Sequence, residues 1–383
     1  MYSLAAYGDM MQDRGRMDAY AAALRAAIVP GAIVVDIGTG TGIMACLACA
    51  YGAATVYAIE PADVIETARA VARANALDDR IRFVQKPSTA VTIPERADVV
   101  VSDLRGVLPL FQHHLPSIVD ARRRLLKPGG SLIPRRDVIR VAVAGAARLY
   151  EPHVTPWERN HYGLDMQVVS RLETNTWRQC RARPEDIVLE PQDLAAIDYA
   201  TVEAAGVTGD LQWTAPATAE VHGLLAWFDA DLGAGAGFSN APGAPELIYG
   251  QAFFPWPRPV GLVAGDRVSV RVTAVLAGDD YVWTWQTGIR DGGGVTKAYF
   301  RQSTFLGIPR SAQSVARRAA DHVPSLNEEG RLDRLILELL EQGMPLGRIA
   351  DEVFAKFPGC LTTQSRALDR VADLSTRYSG DSP

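Results

Sequence analysis

The stretch Val34-Val35-Asp36-Ile37-Gly38-Thr39-Gly40-Thr41-Gly42-Ile43-Met44-Ala45-Cys46-Leu47-Ala48-Cys49-Ala50-Tyr51-Gly52-Ala53-Ala54-Thr55-Val56-Tyr57-Ala58-Ile59-Glu60 decides the fold. Ile33 to Ile37 is a short, β-branched apolar run, as expected of a strand buried on both faces. Gly38, Gly40 and Gly42 alternate with Thr39 and Thr41, which suits a sharp turn that lets a ligand approach the backbone. A helix over Ile43–Tyr51 begins at once, so its free amides face whatever sits on the turn. Gly52 closes the helix and Thr55–Ile59 forms a second strand. Glu60 then stands where an acid can accept hydrogen bonds from both hydroxyls of a ribose.

Two kinds of nucleoside cofactor use such a turn. Dinucleotide binding calls for G-x-G-x-x-G with a pyrophosphate on the helix. Here the spacing is G-x-G-x-G, with Asp36 two residues ahead of the first glycine. That pattern resembles the first motif of class I S-adenosylmethionine-dependent methyltransferases. In those proteins the glycines lie under the methionyl part and the ribose, so the resemblance implies cofactor contacts from Asp36, Gly38, Thr39, Gly40, Gly42, Ile43, Glu60 and Pro61. A purely structural glycine turn is the alternative.

The 383 residues are enough for two or three domains, and 48% hydrophobic with 22% charged residues is ordinary globular composition. A net charge of −5 gives no overall sign of nucleic-acid binding. Cys46 and Cys49 form a C-x-x-C, but both fall inside the helix after the glycine turn, where packing on a sheet explains them better than redox or zinc chemistry. No run approaches ~18 apolar residues, and residues 1–13 have no cationic start before an apolar core. A soluble, cytoplasmic protein that spans no membrane is expected.

Upstream, Met17 to Ile28 is alanine-rich with Tyr20, Leu24 and Ile28 on one helical face, and Pro30-Gly31 stops it. Before it stand Met10, Met11, Asp13 and Arg16. The spacing M-M-x-D-x-x-R with Tyr20 behind it resembles the N-terminal helix motif of the protein arginine methyltransferases. The resemblance implies that Arg16 binds the methionyl carboxylate, that Met10 borders the sulfonium, and that a shortened lid remains in residues 1–9.

After Glu60 the α/β alternation continues: a helix over Ala62–Ala76, a strand over Ile81–Gln85, a loop over Lys86–Thr92 and a strand over Ala97–Ser102. In the same family the loop carries the adenine contacts, which fall on Ser88 and Thr89 here. Ser102-Asp103-Leu104-Arg105-Gly106 matches the place of the family's S-E-x-x-G, where two glutamates clamp the target guanidinium. The two positions are Asp103 and Gln112 in this chain. Asp is one methylene shorter than Glu, and Gln is neutral with donors that a guanidinium cannot use. His113 and His114 read either as a surface pair on a helix over Leu110–Ala121 or as an acid–base group. Leu125 to Pro134, L-L-K-P-G-G-S-L-I-P, resembles the family's loop before a core strand, behind a basic run Arg122–Arg124.

From Asp137 on, strand-like runs at Val138–Ala144, Thr218–Phe228, Gln251–Pro255 and Asp266–Val275 are broken by Pro and Gly, which predicts an all-β second domain. Tyr162-Gly163-Leu164-Asp165-Met166, with Trp157 ahead of it, resembles the family's dimerisation arm, and implies a homodimer. The family's T-H-W loop falls near Leu247–Gln251, where Tyr249 and Gln251 stand without the histidine. Trp283-Thr284-Trp285 reads as barrel core and rim.

Helices are expected over Ser314–Ala320, from a cap at Ser325–Glu329 to Gly343, over Leu346–Phe357 and over Gln364–Tyr378. This tail faintly resembles the small peptide-binding domain of pyrroloquinoline quinone biosynthesis; a helical tail is the plainer reading.

The sequence therefore predicts an α/β protein. An N-terminal helical lid occupies 1–30, a Rossmann-like S-adenosylmethionine domain 31–136, a β-barrel domain with a dimerisation arm at about 150–178 lies over 137–304, and a helical segment over 305–383. The implied activity is methyl transfer to a nitrogen, a guanidino nitrogen first, of a peptide, protein or small molecule, with Asp103 and Gln112 on the acceptor side and Asp103 also beside the cofactor. A catalytically silent dimer that only binds a partner is the alternative. No zinc, hydrolytic or phosphoryl-transfer constellation is present.

Overall fold

The computed structural model describes residues 3–159 and 161–379, without the side chain of His161. Two helices, α1 (Leu4–Gln12) and α2 (Arg14–Ala27), meet at Asp13, whose side chain caps α2 by accepting from the Arg16 amide at 3.1 Å. An alternating run follows: β1 (Ile33–Ile37), α3 (Ile43–Ala50), β2 (Thr55–Ile59), α4 (Ile65–Ala74), β3 (Ile81–Val84), β4 (Ala97–Ser102), α5 (His114–Arg124) and β5 (Leu126–Ile133). The five strands form one parallel sheet in the order β3-β2-β1-β4-β5. Val34, Val35 and Val101 are fully buried, because helices cover both faces of a parallel sheet.

Two expectations in this region are corrected. The helix expected over Leu110–Ala121 begins only at His114. That start puts Pro116 in the first turn, where its missing amide costs nothing; a start at Leu110 would put it in the interior. The loop expected over Leu125–Pro134 is mostly strand β5. Gly130 makes this possible, since a Cβ there would stand 2.9 Å from the Asp98 carbonyl oxygen of β4.

Beyond β5 the chain becomes antiparallel. The elements are β6 (Arg136–Ala144), α6 (Ala147–Glu158), α7 (Gln167–Glu173), β7 (Arg178–Cys180), β8 (Ile187–Asp198), β9 (Val207–Thr214), β10 (Ala219–Gly233), β11 (Ala236–Ser239), β12 (Gln251–Leu262), β13 (Arg267–Ala277), β14 (Asp280–Arg290) and β15 (Thr296–Ser303). They build a sheet ordered β7-β12-β10-β6-β8, with β11 on β10, and a second ordered β15-β14-β13-β9. Both sheets feed one apolar core that holds Val141, Leu224, Phe254 and Trp256 from the first and Val270, Trp283 and Trp285 from the second. Trp283 and Trp285 are 2% and 0% exposed, so both belong to the core and neither to a rim. β8, β9, β14 and β15 escaped the sequence reading because their outward positions are polar, which dilutes the apolar signal. Apolar and aromatic side chains crowd the arm's surface: Tyr162 is 99% exposed, Leu164 61% and Val168 66%.

Contacts divide the chain into a unit Met1–Pro309 and a unit Arg310–Pro383. The second unit holds α8 (Ala312–Ala316), shorter than the helix expected there, then α9 (Glu328–Glu341), α10 (Leu346–Lys356) and α11 (Gln364–Tyr378). Asn327 caps α9, and Leu332, Ile336, Ile349, Val353, Val371 and Leu374 form the unit's own core. Among its described residues there is no strand. No helix of the described residues is long and apolar enough to cross a membrane.

Candidate active site

In the order β3-β2-β1-β4-β5 the chain leaves β1 toward one edge and β4 toward the other, which opens a crevice at their carboxyl ends. Ile37 pairs with Ile59 on one side and with Ser102 on the other. The residues that follow the three strands, Gly38, Glu60 and Asp103, are thereby brought to one end of the sheet.

The glycine turn fills the β1 side. Gly40 has a φ of 52°, and a Cβ on it would stand 2.6 Å from the Tyr7 ring of α1. A Cβ on Gly38, whose φ is 74°, would stand 2.4 Å from Leu104. Both positions take a positive φ that favours glycine, and a side chain at either would have to displace Leu104 or Tyr7. Asp36 is 2% exposed and accepts the Thr39 hydroxyl at 2.6 Å. Burial pushes its carboxyl up to about 7, against the opposing pull of the Thr39 hydrogen bond. Glu60, also buried, accepts from the Gly40 amide at 3.3 Å and the Ala62 amide at 3.0 Å, so β2 and the turn are tied together. Ile43 begins α3 at the turn, and Pro61 is exposed beside Glu60. Ser88 is buried in a short turn after β3, its carbonyl held by Arg124 Nη2 at 3.0 Å, while Thr89 beside it is exposed.

The β4 side is charged and dense. Asp103 accepts from Arg16 Nε at 2.5 Å and from the Tyr249 hydroxyl at 2.7 and 2.8 Å. Arg105 Nη1 lies 3.5 Å from the same carboxylate. Burial alone would disfavour the charge on Asp103, but Arg16, Arg105 and Tyr249 overcome it and hold the carboxyl below the usual range. Arg16 also donates through Nη1 to the Met10 carbonyl at 2.9 Å, which ties α1 to the cluster. Asp13 accepts from the Ile248 amide at 2.8 Å, and Tyr20 donates to the Ser102 carbonyl at 3.0 Å, so α2 is pinned both to the Leu247–Gln251 loop and to β4. Gln112 is exposed with a φ of 41°, and no hydrogen bond joins it to Asp103.

Behind Asp103 runs a buried polar chain. Arg105, with no exposed side-chain surface, has Nε 2.9 Å from Asp137 Oδ2. Tyr199 donates to Asp137 at 2.5 Å, so its oxygen is left to accept from His114 Nε2 at 2.9 Å. His114 is 1% exposed, which corrects the expectation of a surface pair; only His113 lies outside, near Asp279. Burial, with help from Arg105, lowers the His114 imidazole to about 3, so it is neutral at physiological pH and donates as the Nε2–H tautomer.

Sequence reasoning gave Arg16 to the cofactor and Asp103 to both the acceptor and the cofactor; here the two pair with each other. It missed Arg105, Asp137 and Tyr199. The one available signal for Arg105 was an arginine within S-D-L-R-G, a segment that β4 delivers into the interior. Gln251 accepts from the Ala182 amide and donates to the Asn240 carbonyl, a structural task. Among the described residues no group of His, Cys, Asp and Glu could hold a metal ion.

Known proteins fall in line with this geometry. Residues 34–130 match the family described as "Methyltransferase domain" and residues 139–281 the "Arginine methyltransferase oligomerization subdomain". The arginine N(omega)-methyltransferase of Streptomyces achromogenes subsp. streptozoticus is 31% identical over 69% of this chain and 74% of its own. Probable protein arginine N-methyltransferase 6 of Arabidopsis thaliana is 30% identical over 58% of this chain and 53% of its own. This chain spans 53–61% of the length of the first curated relatives it matches. A solved Trypanosoma brucei enzyme–prozyme heterotetramer of an arginine methyltransferase with AdoHcy superposes with a TM-score of 0.71 at 22% identity, over 79% of this chain and 98% of that one. An Arabidopsis thaliana protein arginine methyltransferase in an open conformation gives 0.68 at 23%, over 79% and 97%. At those identities the solved structures speak for the fold, while the bacterial relative speaks for descent: the chain belongs to the arginine methyltransferase family.

Proposed function

We propose that this protein transfers a methyl group from S-adenosylmethionine to a nitrogen of a peptide, protein or small-molecule acceptor. The observation that carries the reading is the joint placement of the tight Gly38–Gly42 turn, the buried acids Asp36 and Glu60, and the Arg16–Asp103 pair at one open end of the parallel sheet. A tight turn of glycines at positive φ, flanked by acids and an arginine, matches a ligand with a ribose and a carboxylate. In this reading Glu60 takes the ribose hydroxyls and Arg16 the methionyl carboxylate. Met10 borders the sulfonium; Gly38, Thr39, Gly40, Gly42 and Ile43 underlie the ligand, with Asp36 bracing the turn. Pro61, Ser88 and Thr89 lie toward the adenine.

Methyl transfer to nitrogen is an in-line displacement. The nitrogen lone pair forms the new bond to carbon as the carbon–sulfur bond breaks, and S-adenosylhomocysteine leaves with the bonding pair on sulfur. The protein's part is to position the acceptor and to oppose the shifting positive charge, work we give to Asp103. Gln112 would have to turn inward to share it. We further read residues 1–30 as a lid, 31–136 as the cofactor domain, 137–304 as the β domain and 305–383 as an appended helical segment, in a cytoplasmic homodimer built through the arm at about 150–178. The exposed Tyr162, Leu164 and Val168 support that interface.

Calorimetry with the purified chain tests the proposal. Saturable binding of S-adenosylhomocysteine is expected; binding of NAD with none of S-adenosylhomocysteine would sink it. Binding without methyl transfer to any acceptor in a labelled extract would favour a silent binding dimer.

A further inference from the structure

We infer that Arg105 sets the acceptor's charge: its buried guanidinium satisfies Asp103 from within the chain, so the site takes an uncharged nitrogen, such as an unprotonated amine or a ring nitrogen, and rejects a guanidinium. This rests on the methyl-transfer reading above and names the substrate class for that site.

The geometry of Arg105 is that of a held cation. Its guanidinium carbon lies 5.4 Å from the ring centres of Phe228 and Phe238 and 5.9 Å from that of Tyr20. Three aromatic rings around a cation are the arrangement used to hold cationic ligands. Here the cation belongs to the chain. Asp137 stands on one side at 2.9 Å and Asp103 on the other at 3.5 Å. Nη1 and Nη2 make no well-aligned hydrogen bond among the described residues, so these charges and rings are their main surroundings. An arginine does not lose its proton in a protein, so the positive charge is permanent.

Charge balance follows. Arg16 and Arg105 already pair with Asp103 and Asp137 without any acceptor, and burial pushes the Asp137 carboxyl up, so the cluster holds no surplus negative charge. When Arg16 is drawn to the methionyl carboxylate, Asp103 keeps Arg105 and Tyr249. A guanidinium acceptor would then place a third cation beside Arg105 and the sulfonium, with one already compensated carboxylate to hold it. An uncharged nitrogen meets no such repulsion. Its lone pair forms the N–CH3 bond as the C–S bond breaks, S-adenosylhomocysteine leaves, the positive charge passes to the methylated nitrogen, and any proton on that nitrogen goes to water. The remaining charge of Asp103 faces the cation that forms.

The test uses the full chain saturated with S-adenosylhomocysteine and ethylguanidinium chloride as probe, read by calorimetry. Three proteins are compared: wild type, Arg105→Met with Asp137→Asn, and Arg105→Lys. The paired change removes both buried charges together, so neither is stranded. We expect the paired variant to bind ethylguanidinium about tenfold or more tightly than wild type, and Arg105→Lys, which keeps the charge, to behave as wild type. An equal gain in Arg105→Lys would show that space, not charge, excludes the probe, and would overturn the inference. So would rapid methylation of an arginine peptide by the wild-type protein, a measurement that needs no variant to fold. Failure of wild type to bind S-adenosylhomocysteine is a separate result, which overturns the methyl-transfer reading itself.

Discussion

Tyr249→Phe isolates the hydrogen bond that joins the antiparallel half of the first unit to Asp103. The ring stays in place, because it stacks on Phe238 at 5.7 Å and 13° and meets Phe228 edge-on at 5.2 Å. Only the oxygen is lost, and with it a donor to a buried carboxylate at 2.7–2.8 Å and an acceptor 3.2 Å from Arg16 Nε. A hydrogen bond to a charged group contributes about 1.5–3 kcal/mol, so unfolding free energy should fall by about that much. Urea unfolding at pH 7.5 followed by tryptophan fluorescence is the assay. All seven tryptophans lie in the unit that ends at Pro309, so the signal reports that unit alone. In an Asp103→Asn background the same change should cost less by about 1 kcal/mol or more. The pH dependence has a definite sign. A carboxyl held below its unfolded value stabilises above that value, and the contribution disappears as pH falls through the lower folded value. Tyr249→Phe raises the folded value, so the variant should acid-unfold at a higher pH than wild type. Strict additivity of the two changes, or a loss under about 0.5 kcal/mol, would refute the account of Asp103 as a carboxylate held by Tyr249.

Glu60→Gln keeps an acceptor but removes the charge, and should weaken S-adenosylhomocysteine binding by about 10- to 100-fold in calorimetry. Asp36 has a folded value raised to about 7, so the protonated form is favoured by folding; stability is fully present below the unfolded value near 3.8 and declines, by up to about 1.4 kcal/mol per pH unit, as pH rises toward 7. Asp36→Asn should flatten that decline, measured as urea midpoints at pH 5 and 7.5; an unchanged slope would remove Asp36 as its source. Tyr162→Asp with Leu164→Asp should turn a dimer into a monomer in light scattering, and a wild-type monomer at tens of micromolar would exclude the arm interface.

The parallel half of the fold was legible because its signals are local. A β-branched run, three alternating glycines, an apolar helix and an acid must follow one another along the chain for that turn to exist, and β1, β2 and β4 begin and end where the residues indicate. The strands β8, β9, β14 and β15 were less legible, since one face of each is polar, and β8 and β9 pair with β6 and β13, far away in sequence. For the site, the sequence by itself determined which residues stand at the strand ends: Gly38 to Gly42, Glu60, Asp103. Tertiary structure decided what they touch. Arg16, Asp103, Arg105, Asp137, Tyr199 and Tyr249 come from segments spread over more than two hundred residues, and no spacing rule links them. Their meeting in a space that excludes water turns ordinary surface-type residues into a coupled charge cluster, because at low dielectric each charge must be answered by its neighbours.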